Sequence, residues 1–182
     1  MGSRSKNKWK EELQLHQRKV QQSKDNFKSK RNQLIREHTM SSKKPIIGRR
    51  TLELQWEFYQ FCNCFSMIHW TIKRINKEIN SFSRPTPLYK TSEPVWQLRN
   101  LMHHGGLPTV SFVTQKNNHY TILYRQELLS LWTKSKSNFN KYFGNMFTTA
   151  RNSNRKYAEL LPLVKKYTSK AKSACVDSTK QL

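Results

Sequence analysis

Few residues in this sequence have the type and spacing that catalysis or metal binding requires. His103 and His104 precede Gly105 and Gly106 and alone suggest a metal-binding or acid–base pair. Adjacent residues point in different directions on a helix, and no cysteine or acidic residue lies nearby in the sequence to complete a site. We therefore interpret the two histidines as polar residues that close a helix.

The cysteines and carboxylates point the same way. Cys62 and Cys64 lack the C-x-x-C spacing of a zinc knuckle, and three cysteines form no disulfide framework, which fits a reducing compartment. The chain has only 11 acidic residues, and it contains no phosphate-binding glycine loop and no nucleophile motif. The sequence predicts a protein that is not an enzyme and that uses no metal or other cofactor.

Positive charge is the dominant property of the composition. Lys and Arg number 34 against 11 Asp and Glu, which gives a net charge of +23 for 182 residues. A compact body with that charge repels itself, and a polyanion relieves the repulsion. Each phosphate that a cation neutralises also releases a counterion, so nucleic acid is the partner that the charge predicts. The charge does not distinguish RNA from DNA; of the two, we expect RNA. No segment approaches the roughly 18 apolar residues of a membrane span, so we expect no membrane partner.

Residues 1–50 are interpreted as a basic N-terminal arm and linker, with 15 basic and 4 acidic residues. The arm is expected to be helical when bound and partly disordered when free. An apolar residue recurs every seven positions, at Leu13, Val20, Phe27 and Leu34. The positions that would complete a heptad are mostly polar: Trp9, His16, Ser23 and Lys30. A stable coiled coil is therefore not expected. Pro45 and Gly48 place a linker over residues 39–50.

The clearest pattern lies in residues 51–82, where large apolar residues are spaced alternately by four and three. This spacing predicts one long amphipathic α-helix. Either the rest of the chain or a second copy must cover the stripe, so a homo-oligomer through residues 54–82 is one expectation. The stripe consists of Leu54, Phe58, Phe61, Phe65, Ile68, Ile72, Ile75, Ile79 and Phe82.

The remaining sequence predicts further helices and one β-hairpin. Two runs rich in β-branched and aromatic residues, 109–114 and 119–124, flank four turn residues. Helical spacing returns over 126–150 and again over 155–168, where Pro162 interrupts the pattern, and 169–182 is expected to be a flexible C-terminal tail. The predicted fold is mainly α: a small helical domain over 51–168 around one long amphipathic helix, with a short hairpin at 109–124 and the basic arm before it.

Two groups of cations are the candidate nucleic-acid-binding residues. Aromatic residues interleave the second group, and they either stack on bases or belong to the core. The first group follows the arm: Arg4, Lys6, Lys8, Lys10, Arg18, Lys19, Lys24, Lys28, Lys30 and Arg31. The second group is Lys134, Lys136, Lys141, Arg151, Arg155 and Lys156, beside Trp132, Tyr142, Phe143 and Tyr157.

A split basic cluster in the linker has the form of a bipartite nuclear import signal. It consists of Lys43, Lys44, Arg49 and Arg50.

Two stretches of the sequence resemble the small accessory nuclear phosphoprotein of bocaparvoviruses and related parvoviruses. The first contains Phe65, then His69 through Ile75, then Asn80-Ser81-Phe82. The second contains Arg125 through Leu129, Lys134, Tyr142, Asn145-Met146-Phe147, Arg151-Asn152 and Tyr157. The family's arm tends toward Arg-Ser repeats and its Arg-Asn pair precedes a Cys/His cluster. Here the arm is rich in Lys and Gln, and residues 151–156 contain no cysteine.

The resemblance implies a viral nonstructural protein of the host nucleus that assists viral RNA processing, with host or viral RNA-processing proteins as partners, and supports genome replication. The alternative is a structural RNA-binding component of a ribonucleoprotein such as an organellar ribosome, whose arm threads ribosomal RNA. A third reading is an adaptor that binds only protein through the apolar stripe, and its RNA affinity would show little salt dependence.

Overall fold

The structure is a computed structural model of the chain, and it describes residues 3–40, 44–79, 87–115, 118–134, 136–149 and 155–182. Within these ranges the helices are α1 (Ser3–Met40), α2 (Lys44–Ile79), α3 (Pro87–Gly105), α4 (Arg125–Leu131), α5 (Lys136–Phe143) and α6 (Leu160–Gln181), with one 3-10 turn at Gly144–Met146. The strands are β1 (Val110–Gln115), β2 (Asn118–Tyr124), β3 (Thr148–Thr149) and β4 (Lys156–Glu159). The predicted mainly helical fold around one long amphipathic helix is confirmed.

The long helices α1 and α2 pack side by side in opposite directions. Lys30 of α1 contacts Glu53 near the start of α2, with 3.2 Å between Nζ and Oε2. Ser23 lies against Cys64, and Thr71 donates a 3.0 Å hydrogen bond to Glu12. As residue numbers fall along α1 they rise along α2, so the two helices form an antiparallel hairpin.

The apolar stripe of α2 is the centre of the hydrophobic core. Leu54, Phe65 and Ile75 are fully buried, and the side chains between them that continue the stripe are at most 1% exposed. The chain itself covers the stripe, with α1, α3 and α6 packed around α2. From Leu54 to Ile75 the stripe is therefore not available to a second copy of the chain, which corrects the expectation of a homo-oligomer through it. The side chains of Ile79 and Phe82 lie outside those that the structure describes.

Helix α1 belongs to the same core, which corrects the prediction of a separate arm. Its seven-residue repeat is buried together with the intervening positions Trp9, His16 and Ser23. These mostly polar side chains pack against other helices of the same chain. They would not fit the core of a self-associating coiled coil. The backbone is helical again from Lys44, so the predicted linker over 39–50 is also corrected. Pro45 lies in the first turn of α2, where a missing N–H removes no hydrogen bond.

The C-terminal residues form an ordered helix, which corrects the prediction of a flexible tail over 169–182. Helix α6 continues to Gln181 and buries a series of small side chains: Ala171, Ala174, Cys175 and Ser178. Its beginning also differs from the prediction, because residues 156–159 form β4 and the helix starts at Leu160. Pro162 is therefore tolerated within the first turn.

A four-stranded antiparallel sheet, in the order β1-β2-β4-β3, covers one end of the helices. The predicted hairpin is confirmed, and its turn is shorter than expected because Gln115 pairs directly with Asn118. Strands β3 and β4 were not predicted, since two and four residues are too few for an alternating pattern to emerge. The segment predicted as one helix over 126–150 is divided into α4, α5 and the 3-10 turn.

Helix α3 ends where the sequence predicted, at the paired glycines. Gly106 has φ of +91°, a left-handed backbone conformation that glycine adopts without steric cost. Before that end, α3 packs its buried face, including Val95 and Leu98, onto α2. A short contact of 2.6 Å between His69 Nδ1 and Ser92 Oγ joins the two helices.

Candidate nucleic-acid interface

Helix α6 carries cations on two sides of its exposed surface. Lys165 and Lys166 are consecutive residues, and consecutive residues of an α-helix are about 100° apart around its axis. Lys165 and Lys172 lie on the side toward α1, whereas Lys166 and Lys170 lie on the side toward β4 and α5. The helix therefore forms a basic ridge between two grooves.

The first groove, here called the α1–α6 groove, has a volume of about 470 Å³. Four cations line it: Arg18, Lys24, Lys165 and Lys172. Its other lining residues are neutral, namely Gln17, Val20, Gln21, Thr168, Ser169 and Ala171. No acidic residue is among the described residues that line the groove, so every charged side chain of this lining is positive.

One acid lies beside this groove. Asp25 is 3.8 Å from the Nζ of Lys24 and accepts a 2.8 Å hydrogen bond from Gln21. Arg18, Lys165 and Lys172 are exposed, and none of them forms an ion pair with another described residue. Three cations of the groove are therefore free to meet an anion.

The second groove, here called the tyrosine cleft, has a volume of about 620 Å³ and lies between α5, β4 and α6. Three tyrosines and three lysines are among its lining residues, together with one acid, Glu159. The six are Lys141, Tyr142, Tyr157, Lys166, Tyr167 and Lys170. Two of the four aromatic residues that the sequence interleaved with cations thus line the cleft, whereas Phe143 is fully buried in the core.

Arg155 and Lys156 lie at a separate hollow of about 510 Å³ beside the end of β2. The guanidinium of Arg155 is 5.8 Å from the ring centroid of Tyr124, and Glu127 contributes a negative charge to the lining. The structure therefore does not bring these two residues together with Lys141 in one groove.

Lys30 and Arg31, two of the predicted α1 cations, contact partners on other elements of the fold. Lys30 contacts Glu53, and Arg31 donates a hydrogen bond to the backbone carbonyl oxygen of His119 in β2. Burial lowers the pKa of Arg31 from its ordinary value, although Glu159 opposes the shift. This corrects the expectation that the whole row of α1 cations faces phosphate.

The other predicted cations are spread over the surface. Lys8, Lys19 and Lys28 of α1 are exposed, and Lys6 and Lys10 are half-buried. Lys134 and Lys136 are exposed around the start of α5, and the Nζ of Lys134 is 5.8 Å from the Trp132 ring centroid. The remaining predicted residues lie outside the side chains that the structure describes: Arg4, Lys43, Lys44, Arg49, Arg50 and Arg151.

Sequence reasoning missed the four lysines of α6 that define both grooves. Lys170 and Lys172 fall within residues 169–182, whose polar and small side chains are typical of a tail, whereas Lys165 and Lys166 fall within the predicted helix over 155–168. The signal was nevertheless present, since buried residues follow helical spacing through the segment: Val164, Tyr167, Ala171, Ala174 and Ser178. Their small size makes this stripe weak compared with the stripe of α2.

The histidines and cysteines that the sequence singled out lie on different helices, His103 and His104 on α3 and Cys62 and Cys64 on α2. His103 and His104 are exposed, and the Nδ1 of His103 is 3.2 Å from the hydroxyl of Tyr59. Burial raises the pKa of the Cys62 thiol, which keeps it protonated and unreactive. Across the described ranges, no three His, Cys, Asp or Glu side chains are grouped so that they could hold a metal ion.

No helix in the described part of the chain is both long enough and apolar enough to cross a membrane. Comparison of the chain with protein-family models, with curated proteins and with solved structures finds no match.

Proposed function

We propose that this protein is a non-enzymatic RNA-binding protein that holds the phosphate backbone on the ridge of α6. The observation that carries the proposal is the α1–α6 groove, where Arg18 and Lys24 from one end of the chain meet Lys165 and Lys172 from the other. Each of these cations releases counterions when it neutralises a phosphate. The lining itself contains no acidic residue in the part of the chain that the structure describes, and the nearby Asp25 contacts Lys24.

The net charge of +23 supports RNA as the partner in preference to an acidic small molecule. The α1–α6 groove, the tyrosine cleft and the hollow at Arg155 are all lined by cations, so positive potential extends over several faces of the molecule. A long polyanion can contact several of them at once, whereas a small ligand occupies only one.

The setting that we propose for this binding is the host nucleus, in a viral accessory protein that supports viral RNA processing and genome replication alongside RNA-processing proteins. The sequence resemblance supports this part of the proposal. A fluorescent fusion should accumulate in nuclei, and charge reversal of Lys43, Lys44, Arg49 and Arg50 should shift it to the cytoplasm. Exclusion of the unmodified fusion from nuclei would contradict the nuclear role. It would not bear on RNA binding, which the binding measurements below test.

The alternative of a ribonucleoprotein component depends on an arm that orders only when it threads ribosomal RNA. Helix α1 instead buries Trp9, Leu13 and Phe27 against the rest of the chain, which disfavours that reading. Sedimentation with ribosomal subunits at moderate salt distinguishes the two hypotheses. A ribosomal component should sediment with the subunits, whereas a viral accessory protein should remain in the soluble fraction.

Binding of a labelled RNA oligonucleotide to the purified, nucleic-acid-free chain tests the proposal. We expect affinity to fall at least about tenfold between about 50 and about 200 mM salt. The variant Lys165→Glu/Lys172→Glu should lose a further factor of about ten at low salt, because two phosphate contacts become repulsive.

The matched control is Lys73→Glu/Lys77→Glu, which changes two exposed lysines of α2 and alters the net charge equally. It should weaken binding by less than about threefold if the groove itself is responsible. Equal losses in the two variants would assign binding to net charge alone. No RNA affinity at low salt would contradict the proposed function.

A further inference from the structure

The tyrosine cleft differs from the α1–α6 groove in having aromatic walls. Tyr142 of α5 and Tyr157 of β4 are half-buried and line it from two different elements, and Tyr167 of α6 lines it from a third. The sequence separates these residues by up to 25 positions. Only the fold brings three rings to one cavity.

Tyr167 forms the fixed part of the cleft. Its ring meets Phe65 of the core edge-on, with 5.6 Å between centroids and an interplanar angle of 78°. The side chain is 7% exposed, and burial raises its pKa to about 12, so the phenol is neutral at physiological pH. Tyr142 and Tyr157 are more accessible and are the rings that a flat ligand can reach.

The lysines of the cleft lie against these rings. The Nζ of Lys141 is 5.5 Å from the Tyr142 ring centroid, and the Nζ of Lys170 is 5.8 Å from that of Tyr167. Lys166 adds a third positive charge, against the single carboxylate of Glu159. Burial and the like charge of Lys166 lower the pKa of Lys170. An anion bound in the cleft would offset the repulsion between the two lysines.

A ligand suited to this cleft therefore has a flat aromatic part and a negative part joined to it. Nucleotides of a single strand have both, since the face of each base is free to stack while its phosphate meets a lysine. In a duplex the base faces are covered by neighbouring bases, so they cannot stack on a tyrosine, and contact is limited to phosphates, 2′-hydroxyls and base edges.

We propose that the tyrosine cleft binds unpaired bases by stacking on Tyr142 and Tyr157, so that the protein selects single-stranded over double-stranded RNA. This inference rests on the proposed RNA binding and adds the class of RNA. The α1–α6 groove binds the phosphates of single-stranded and double-stranded RNA alike, and the tyrosine cleft produces the preference for single strands.

The first test uses the unmodified full-length protein and three probes of equal length: a single-stranded RNA, the same RNA in a duplex, and an abasic ribose-phosphate strand. We expect the single strand to bind about tenfold more tightly than the duplex and the abasic strand, as one or two stacked bases would give. Equal affinity for single strand and duplex overturns the inference, and this comparison depends on no variant.

The second test replaces both accessible rings. Tyr142→Leu/Tyr157→Leu keeps apolar bulk but removes the aromatic face, whereas Tyr142→Phe/Tyr157→Phe keeps the face and removes the hydroxyl. We expect the leucine variant to lose the single-strand preference while its affinity for the abasic strand is unchanged, and the phenylalanine variant to keep the preference. The matched control is Tyr59→Leu, a half-buried tyrosine of α2 outside the cleft.

The outcomes distinguish the two proposals. Failure to bind any probe at low salt contradicts RNA binding itself. Binding of all three probes with equal affinity leaves phosphate binding intact and contradicts only the stacking site. If the leucine variant binds all three probes more weakly and to the same degree, the stacking site is also contradicted, because loss of structure and not loss of stacking then explains the effect.

Discussion

The Sγ of Cys175 lies 3.7 Å from the backbone carbonyl oxygen of Leu13. These residues are 162 positions apart, and their contact shows that α6 packs directly on α1. The α1–α6 groove exists only because of this packing, since each helix contributes two of its four cations. The stability of the fold and the proposed binding surface thus depend on the same pair of helices.

Deleting residues 169–182 should destabilise the protein although the sequence of this segment is typical of a tail. Ala171, Ala174, Cys175 and Ser178 are buried, and their loss also exposes the surface of α1 that they cover. We expect a loss of about 3–5 kcal/mol in the free energy of unfolding and a fall of about 10 °C in the melting midpoint. Thermal unfolding followed by circular dichroism measures both, with exposed Lys180→Ala as the control. An unchanged midpoint would mean that the segment does not pack.

Arg31→Ala should lower stability more than it lowers RNA affinity. Arg31 joins α1 to β2 through the carbonyl oxygen of His119, and a charge-assisted hydrogen bond of this kind contributes about 1.5–3 kcal/mol. Arg36→Ala, on the same helix but exposed, removes the same charge and should cost less than about 0.5 kcal/mol. Urea unfolding and RNA titration of both variants check this. A large and selective loss of RNA affinity in Arg31→Ala would place that residue in the interface instead.

Acidification should destabilise the protein partly through His69. Burial lowers the pKa of His69 below its ordinary value of 6.5, with Lys73 acting in the same direction and Glu93 opposing it. In the unfolded chain the imidazole takes up a proton more readily than in the folded protein. The stabilisation is therefore complete above pH 6.5 and is lost as the pH falls through the folded-state pKa.

Urea unfolding of the wild type and of His69→Gln at about pH 7.5 and about pH 5.5 tests this expectation. The loss on acidification should be smaller in His69→Gln, while His103→Gln, at an exposed position, should behave like the wild type. Identical losses in all three proteins would show that His69 does not contribute to the pH dependence.

The thiols should differ in reactivity according to burial. Burial raises the pKa of Cys62 and raises that of Cys175 to about 12, so neither forms thiolate at neutral pH. Cys64 is only half-buried and lies 3.6 Å from the hydroxyl of Ser23. Iodoacetamide should modify Cys64 first in the folded protein and all three cysteines after denaturation. Mass spectrometry of peptides identifies each site, and early labelling of Cys175 would contradict the packing of α6 on α1.

The long helix α2 and the β1–β2 hairpin were predictable because their signals are local. Large side chains such as Phe58, Phe61 and Phe65 repeat with helical spacing, and two β-branched runs flank a short polar turn. Strand β4 and the start of α6 were not predictable in this way. The four residues of β4 acquire their conformation by pairing with β3 and with β2, and β2 is distant in the sequence.

The candidate site was predictable only in part, and the reason is physical. The charge that predicts RNA is a property of composition, whereas a groove requires cations from two elements at one place. Arg18 and Lys141 were among the predicted residues, while Lys165 and Lys172 were not. Lys30 and Arg31 look like their neighbours in the sequence, yet partners far along the chain engage them within the fold.

By itself the sequence determined the net charge, the mainly helical class, the core stripe of α2 and the hairpin, because these follow from composition and from interactions between residues a few positions apart. Only the tertiary structure decided that α1 and α6 are packed helices and not an arm and a tail. Between their large apolar residues, both helices bury polar or small ones, such as His16, Ser23 and Ala171, and these become interior only when another helix covers them. Contacts between the two ends of the chain, such as that of Cys175 with Leu13, therefore create the grooves that the proposed function uses.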